Sequence, residues 1–438
     1  MVFLRDTILN KLQSNPVAQQ MLQFGNNIGN LFPNEEALCM ASAFMQDKQT
    51  RIVVKKNRYE AQQLYQRLKP LINDTLLFVM EESLRVQAIA SSPEDKQEQL
   101  YVLTQLVKED KPRIIICNTA AFLRYLPDKE LFKSLCFKFE VDQEITMAEL
   151  KQKLNRAGYT KVNYVDRPCT YASRGGIVDV YCLEYEHPIR IEFFDTVIES
   201  IRLFHEETQR TIQTIDSVLI NPATDLLFTD DQIEYLQKEI DSELEKQQAK
   251  LIQDDYDFLL DYIEKDKISI ENYDIDPHLY IYFSYLNANK LTDYVNGHII
   301  FSSQEEVESG YKKLNEETIS FIQEMVESHQ YLPKYSMFHD IFTFEKEHTI
   351  QMFHDFLDFK HPIFSKIETL EKSDQPLIQI LENLKGENIY ISLDEEHTKK
   401  VQEALKAYSI HRNITFIEDD FYEGFTYEDI SVYTQQEL

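Results

Sequence analysis

In the first 140 residues, short apolar runs rich in β-branched side chains alternate with segments of helical periodicity. The run from Arg51 to Val54 predicts a buried strand, and apolar positions between Ala61 and Leu68 then recur every three or four residues, as in a helix. A second helix with Pro93 in its first turn leads to another strand-like run, 113–117. Alternation of this kind indicates a parallel sheet with crossover helices.

After residue 142 the pattern changes. Thr146 and Glu149 form a capping box, which predicts a helix that ends at Gly158. Four strand-like runs joined by short turns follow and indicate antiparallel pairing in a small α+β domain. These runs are residues 161–165, 176–182, 189–194 and 198–204.

The later part of the chain is acidic at first and then returns to an α/β pattern. Helices are predicted over 232–251 and 305–327, with a strand candidate at Leu279–Phe283 between them. Further on, two strand-like runs, 388–393 and 414–417, flank a helix over 396–408. A last strand-like run at 430–433 has almost nothing after it, so we expect the chain to be part of a longer protein. The domain organisation that we predict is 1–142, 143–230, 231–355 and 356–438.

The charge and the cysteines exclude several classes of protein. A formal net charge of -30 repels phosphate backbones and anionic lipids, so binding of nucleic acid or membrane by this chain alone is disfavoured. Five cysteines without metal-ligand spacing predict neither a zinc site nor a disulfide framework. No run approaches the roughly 20 apolar residues of a membrane span, and Arg5 and Asp6 interrupt any signal peptide. We therefore expect a reduced, cytoplasmic protein.

The nearest candidate for a nucleotide site is the stretch "FGNNIGNL", which contains Gly25 and Gly29. It has two glycines but neither the lysine nor the hydroxyl residue that a phosphate-binding loop needs, and no Gly-Lys pair occurs anywhere in the chain. We expect no ATP hydrolysis, no cofactor and no nucleotide site at this degenerate loop.

A second candidate for catalysis is "LDEEH", in which Asp394, Glu395 and His397 follow an apolar run. A helicase uses Asp-Glu-x-His at such a place to hold magnesium, but Asp394 can equally cap the next helix with Glu395 and Glu396 in its first turn. We favour the cap. No HExxH pair or nucleophile elbow is present, so we predict no metal ligands and no catalytic residues. The aromatic residues between Tyr256 and Tyr285 are interpreted as core.

The stretch "SRGGIVDVY" places two adjacent glycines directly before an apolar run, in a chain with only nine glycines. Gly175 and Gly176 permit a tight turn or a close backbone approach at the start of a strand. Such a turn projects Arg174 outward, where it can contact a partner. The alternative is that Arg174 pairs with a nearby acid such as Asp179.

A longer set of motifs around this turn resembles the signature shared by bacterial transcription-repair coupling factors (Mfd) and the excision nuclease subunit UvrB. The matching segments, in order, are "GY" at 158–159, "YASRGGIVDVY" at 171–181, "PIRIEFFD" at 188–195, "IESIRLF" at 198–204 and "ETQR" at 207–210. Weaker similarity covers most of the chain, including the degenerate loop and the closing "VYTQQEL". UvrB has an intact phosphate loop and an aromatic hairpin that grips DNA, and this chain has neither, so it is more similar to the N-terminal module of the coupling factors.

The resemblance implies a fold and a function. The implied fold class is α/β: a degenerate RecA-like or UvrB-like parallel-sheet domain with an inserted small α+β domain and a further C-terminal α/β domain. The implied function is non-catalytic binding of UvrA by the small domain, which recruits nucleotide excision repair to stalled transcription. RNA polymerase and DNA are implied as partners only of domains outside this chain.

The resemblance also implies docking residues. The arginine before the glycine turn matches Arg174, an upstream basic position matches Lys161, and the aromatic residue that ends the strand matches Tyr181. UvrB has a second arginine where this chain has Ala172, which leaves the strength of the contact open. Two other hypotheses remain: a divergent helicase or UvrB-like ATPase that uses Asp394 and Glu395, and a module that restrains the motor of the full-length protein through contacts with its other domains.

Overall fold

A computed structural model of the chain describes residues 4–23, 25, 27–29, 31–82, 93–274, 276–354, 367–371, 375–410 and 412–438. The fold is α/β, as predicted from the sequence. Among these residues, no helix is both long enough and apolar enough to cross a membrane.

The centre of the fold is a six-stranded sheet in which every neighbouring pair of strands is parallel. Its strands, in spatial order, are β1 (Asn27–Gly29), β14 (Ile350–His354), β13 (His298–Phe301), β2 (Arg51–Lys55), β4 (Ile114–Asn118) and β3 (Thr75–Phe78). The helices of its first part are α1 (Leu4–Leu12), α2 (Pro16–Gln20), α3 (Pro33–Asp47), α4 (Arg58–Leu68), α5 (Pro93–Lys108), α6 (Thr119–Leu123) and α7 (Lys129–Ser134). The parallel sheet predicted from strand–helix alternation is therefore confirmed, and two of its strands come from the segment after the small domain.

The small domain is built on a second six-stranded sheet, with the spatial order β11-β10-β9-β8-β7-β6. Its elements are β5 (Phe137–Glu140), α8 (Met147–Arg156), β6 (Thr160–Lys161), β7 (Thr170–Arg174), β8 (Ile177–Tyr181), β9 (Ile189–Phe194), β10 (Val197–Phe204), β11 (Thr211–Ile215) and β12 (Ser217–Ile220), of which β5 and β12 pair separately. Thr146 accepts a hydrogen bond from the Glu149 amide at the start of α8, and Gly158 follows the helix with φ +81°. The capping box and the C-terminal glycine are thus confirmed.

Two strand predictions are wrong. The run 161–165 is a strand only at Thr160–Lys161, because Pro168 and its polar neighbours turn the chain before it pairs again. Leu279–Phe283 lies in a 3-10 helix, Pro277–Tyr285, and all five residues are buried. A run that is apolar on every side has no period, so sequence cannot separate a buried strand from a buried helix.

The segment after the small domain is mostly helical, and the chain closes with a third sheet. The helices are α9 (Asp230–Gln248), α10 (Gln253–Glu271), α11 (Leu291–Tyr294), α12 (Gln304–Glu327) and α13 (Ile341–Glu347). The C-terminal unit contains β15 (Ile367–Thr369), α14 (Leu377–Asn383), β16 (Asn388–Ser392), α15 (Glu395–Ala407), β17 (Ile414–Ile417), β18 (Phe425–Tyr427) and β19 (Ile430–Tyr433). Its mixed sheet has the order β15-β18-β19-β16-β17.

The units share hydrophobic cores. One cluster joins Ile52 and Val54 of the parallel sheet to Leu150 and Val178 of the small domain. A second cluster joins the N-terminal helices and the opposite face of the sheet to the C-terminal unit. The small domain therefore packs against the rest of the chain through one face of its sheet. The other face of that sheet is the candidate binding surface. The four-part division of the chain stays a proposal.

Candidate docking surface

The "SRGGIVDVY" stretch forms a hairpin between β7 and β8, in which Arg174 is paired with Ile177. Gly175 has φ +57°, in the left-handed region that side chains disfavour, and there is open space around the position of its missing Cβ. A Cβ on Gly176 would lie 3.1 Å from the carbonyl oxygen of Phe193, whose amide donates to the Gly176 carbonyl over 2.8 Å. Gly175 thus allows the positive φ of the turn, and Gly176 allows the close approach of the Phe193 backbone, as the sequence predicts.

Replacing Gly175 by valine is expected to destabilise the protein by about 1–2 kcal/mol, because a β-branched residue is strained at positive φ. Gly175→Asn is the matched control, since asparagine tolerates this region and the site has room for a side chain. Urea denaturation of both variants measures the difference. Equal stabilities would contradict the backbone argument.

The Arg174 side chain is exposed at the end of this hairpin, with 58% of its surface accessible. Pairing between β6 and β7 extends only to Tyr171, so the last part of β7 forms an edge of the sheet. The nearest oxygen of Asp179 lies 3.6 Å from Nη2 of Arg174, which is longer than a hydrogen bond. Arg174 therefore projects outward and also forms an ion pair with Asp179, so both of the alternatives left open by the sequence are present.

A second arginine, Arg190, lies closer to Asp179 than Arg174 does. Nε and Nη2 of Arg190 donate to the two carboxylate oxygens of Asp179 over 2.7 and 2.8 Å, and Nη2 also donates to Oε1 of Gln209 over 2.8 Å. The guanidinium carbon lies 4.3 Å from the centroid of the Phe204 ring. Bidentate pairs of this kind are among the strongest in proteins, so the buried Asp179 carboxylate is bound mainly by Arg190, and Arg174 adds a longer ion pair.

Sequence reasoning did not identify Arg190. The signal that could have found it is the alternation of polar and apolar residues in "PIRIEFF", which places Arg190 and Glu192 on one face of β9. Asp179 lies directly opposite Arg190 in the neighbouring strand, and opposite charges in such cross-strand positions attract. The register that brings them together is not visible in the sequence.

The structure does not gather all three predicted docking residues in one place. Tyr181 lies on the same face as Arg174, but at the other end of β8, roughly 13 Å along the strand, and its hydroxyl donates to the Glu186 carbonyl over 2.8 Å. Lys161 is exposed and is paired with Tyr171, whose side chain is buried on the opposite face of the sheet. Arg174 and Tyr181 therefore share a surface, and Lys161 lies at its edge on the other face.

The degenerate loop is described only in part, since Phe24, Asn26 and Asn30 lie outside the described residues. Gly25 has φ +87°, and Gly29 ends β1. The helix that follows, α3, carries Glu35 and Glu36 in its first turn, and both are only 4% exposed. The loop thus has two buried carboxyl groups after it, where a phosphate-binding loop has a lysine and a hydroxyl group.

Burial raises the pKa of Glu35 from 4.5 to about 7, although its carboxylate accepts a hydrogen bond from the Phe32 amide over 3.0 Å. The folded protein binds the proton more tightly than the unfolded chain, so stability falls as the pH rises from 4.5 through 7. Glu35→Gln keeps the hydrogen-bond acceptor and loses this dependence. We expect a gain of about 1.5 kcal/mol for the variant at pH 5.5, where the unfolded carboxyl group is already mostly ionised, and a gain of about 3 kcal/mol at pH 8.

Denaturant titrations at the two pH values measure this effect. Glu149→Gln is the control, because Glu149 is also the third residue of its helix but is exposed, and its pKa is lowered by hydrogen bonds from Thr146. A gain for Glu35→Gln that is the same at both pH values would contradict the raised pKa.

The helicase-like motif in the C-terminal unit is a helix cap. Oδ1 of Asp394 accepts from the His397 amide over 2.8 Å, and Oδ2 lies 2.7 Å from the Nδ1 atom of the same residue. These hydrogen bonds lower the pKa of Asp394. Glu395 and Glu396 form ion pairs with lysines one turn further along α15. The cap that we favoured from the sequence is confirmed. Within the described part of the chain, no group of three or more His, Cys, Asp or Glu residues could hold a metal ion.

The small domain, with its glycine-turn hairpin, is similar to the UvrB interaction domain: residues 137–226 match the model of that family. The chain as a whole is similar to transcription-repair-coupling factors. The factor of Bacillus subtilis (strain 168) is 28% identical over 402 residues, which is 86% of this chain and 34% of the relative. The factors of Staphylococcus haemolyticus and Staphylococcus epidermidis are 28% and 27% identical over 305 residues, which is 68% of this chain and 26% of each relative.

These matches confirm the resemblance seen in the sequence. The chain spans about a quarter to a third of the length of the curated relatives that it matches. The similarity is consistent with an N-terminal module of a transcription-repair-coupling factor.

Proposed function

We propose that this chain is a binding module of a transcription-repair-coupling factor, and that it recruits nucleotide excision repair by docking on a UvrA-type protein. The match of residues 137–226 to the UvrB interaction domain supports this role. The observation that carries it is the exposed guanidinium of Arg174, which makes only a 3.6 Å ion pair with Asp179, while Arg190 is hydrogen-bonded to both oxygens of that carboxylate.

The partner surface can be described by its chemistry. Around Arg174, the outer face of the sheet has its other charges already paired, since Arg190 is bound to Asp179 and Arg202 to Glu192. An exposed, planar guanidinium beside such neutralised pairs favours a carboxylate on the partner, which it can bind through two parallel hydrogen bonds. We therefore propose that UvrA offers an acidic side chain to the hairpin.

The experiment is a calorimetric titration of the isolated chain with UvrA, in the absence of DNA and nucleotide. We expect saturable binding, because the docking face is formed by this chain alone. Saturable binding that weakens as salt is added supports the proposal, since salt screens exposed charges. Absence of heat and of complex on size-exclusion chromatography at the same concentrations would contradict it.

We further propose that the chain is not an ATPase. The supporting observations are the buried Glu35 and Glu36 at the degenerate loop and the capping role of Asp394. An ATPase assay of the isolated chain tests this proposal, with Glu395→Gln as the comparison. Hydrolysis that is lost in the variant would instead favour the helicase-like alternative.

A further inference from the structure

Phe194, the last residue of β9, is the most exposed of the large apolar side chains among the described residues, with 73% of its surface accessible. Along β9, Ile189, Ile191 and Phe193 are buried, so the alternation of side chains puts Phe194 on the outer face of the sheet together with Glu192. A single exposed ring is common on protein surfaces. Its neighbours therefore decide whether it marks a binding surface.

Phe194 lies beside the glycine turn that presents Arg174. The Phe193 amide donates to the Gly176 carbonyl over 2.8 Å, which continues the pairing of β8 with β9 past the ends of the two strands and places Phe194 next to Gly175. The turn between β7 and β8 and the turn between β9 and β10 are therefore adjacent. The aromatic ring and the guanidinium group are carried at the same edge of the sheet.

Two further apolar side chains extend this surface. Val197, the first residue of β10, is paired directly with Phe194, and Ile177, the first residue of β8, is a diagonal neighbour of Phe194 across the two strands. Both Val197 and Ile177 are half-buried. We call Ile177, Phe194 and Val197 the apolar patch. Arg174 borders this patch, because it is paired with Ile177 in the β7–β8 hairpin.

The carboxylate nearest to the apolar patch on the sheet is paired within the chain. Glu192 forms an ion pair with Arg202 and accepts a hydrogen bond from Oγ of Ser200 over 2.7 Å. A partner that covers the patch therefore does not bury an unpaired carboxylate there, which would oppose binding. Asp195, in the turn after Phe194, is exposed and can stay hydrated at the rim of the contact.

We propose that the apolar patch is a second contact point of the docking surface, and that Phe194 inserts into an apolar pocket of UvrA beside the acidic side chain that Arg174 binds. This inference rests on the proposed function. Protein interfaces are enriched in aromatic and arginine side chains, and a few fully covered residues carry most of the binding energy. A second copy of the chain fits the patch less well, because a two-fold contact brings two Arg174 side chains together and two chains of net charge -30 repel.

The test is a calorimetric titration of UvrA with the full chain and with its Phe194→Ser variant. We expect the variant to bind more weakly by a factor of about 10 to 100, as for a hot-spot side chain. The heat capacity change of binding becomes less negative, because less apolar surface is covered. The salt dependence stays as in wild type, because the charge of the chain is unchanged. Phe194→Leu is expected to recover most of the lost affinity, since leucine keeps an apolar side chain for the pocket.

Phe258→Ser is the matched control, because it makes the same change at an exposed ring outside the small domain. Phe258 lies on α10 and is 54% exposed. We expect this variant to bind UvrA with the affinity and the heat capacity change of wild type, and circular dichroism checks the fold of both variants. Wild-type affinity of Phe194→Ser, or an equal loss for Phe258→Ser, would overturn the apolar contact.

The outcomes separate this inference from the proposed function. If wild type binds UvrA and Arg174→Ala weakens binding while Phe194→Ser does not, docking stands and only the apolar contact is overturned. If wild type does not bind UvrA, both are overturned. Analytical ultracentrifugation of the chain alone tests the other occupant: a dimer that is lost in Phe194→Ser would assign the patch to a second copy and overturn the inference.

Discussion

Replacing Arg174 by glutamate is expected to weaken binding of UvrA by a factor of about 30 to several thousand. Truncating one partner of a desolvated charge pair costs about 2–5 kcal/mol, and reversing the charge adds repulsion from the acidic partner. The fold is expected to stay intact, because the side chain is 58% exposed and makes no hydrogen bond to Asp179. Calorimetric titration with UvrA measures the affinity, and circular dichroism checks the fold.

Lys151→Glu is the matched control for charge. It makes the same change in net charge on α8, which packs against the opposite face of the sheet through Leu150 and Leu154. We expect it to leave the affinity for UvrA nearly unchanged. If the two variants weakened binding equally, the effect would come from net charge and not from the hairpin. Unchanged affinity of Arg174→Glu would remove the docking assignment.

The second large effect is expected at Asp225, which anchors the chain where it leaves the small domain. Its carboxylate forms an ion pair with Nη2 of Arg124, and the two side chains are 9% and 10% exposed. Arg124 also donates to Oε1 of Gln99 over 3.2 Å and lies 5.1 Å from the ring centroid of Tyr280. Asp225→Asn leaves a buried guanidinium without its counter-ion, so we expect a loss of about 3–5 kcal/mol in the free energy of unfolding.

Denaturant titration measures this loss, with Asp216→Asn as the control. Asp216 is exposed in the turn between β11 and β12, and surface substitutions of this kind usually change stability by less than about 0.5 kcal/mol. Similar stabilities for the two variants would contradict the role given to the Arg124–Asp225 pair. Neither residue lies on the hairpin, so the loss of stability is measured without a change to the docking surface.

Most of the strands could be predicted from the sequence because their signals are local. β2, β4, β16 and β17 are short β-branched runs bounded by helical periodicity, and the structure has them within one or two residues. The glycine turn was equally predictable, since Gly175 and Gly176 stand directly between two alternating runs. The strand predicted at Leu279–Phe283 is wrong for the opposite reason, because a segment that is buried on all sides has no periodic signal.

The electrostatic details of the site could not be predicted, because they depend on register and on long-range packing. Asp179 and Arg190 meet only through the pairing of β8 with β9, and Arg124 and Asp225 are a hundred residues apart in the chain. Lys161 was assigned by resemblance alone, and the register of β6 puts it on the other face from Arg174. Sequence therefore indicated that Arg174 projects outward, but not that Arg190 binds the carboxylate next to it.

The most direct test of the docking surface is amide hydrogen exchange of the chain, measured alone and in complex with UvrA. We expect slower exchange in the complex at the hairpin turn, residues 173–177, with exchange in α8 unchanged. Protection of α8 or of the C-terminal sheet, with no change at the turn, would show that a different face of the protein binds UvrA and would contradict the account.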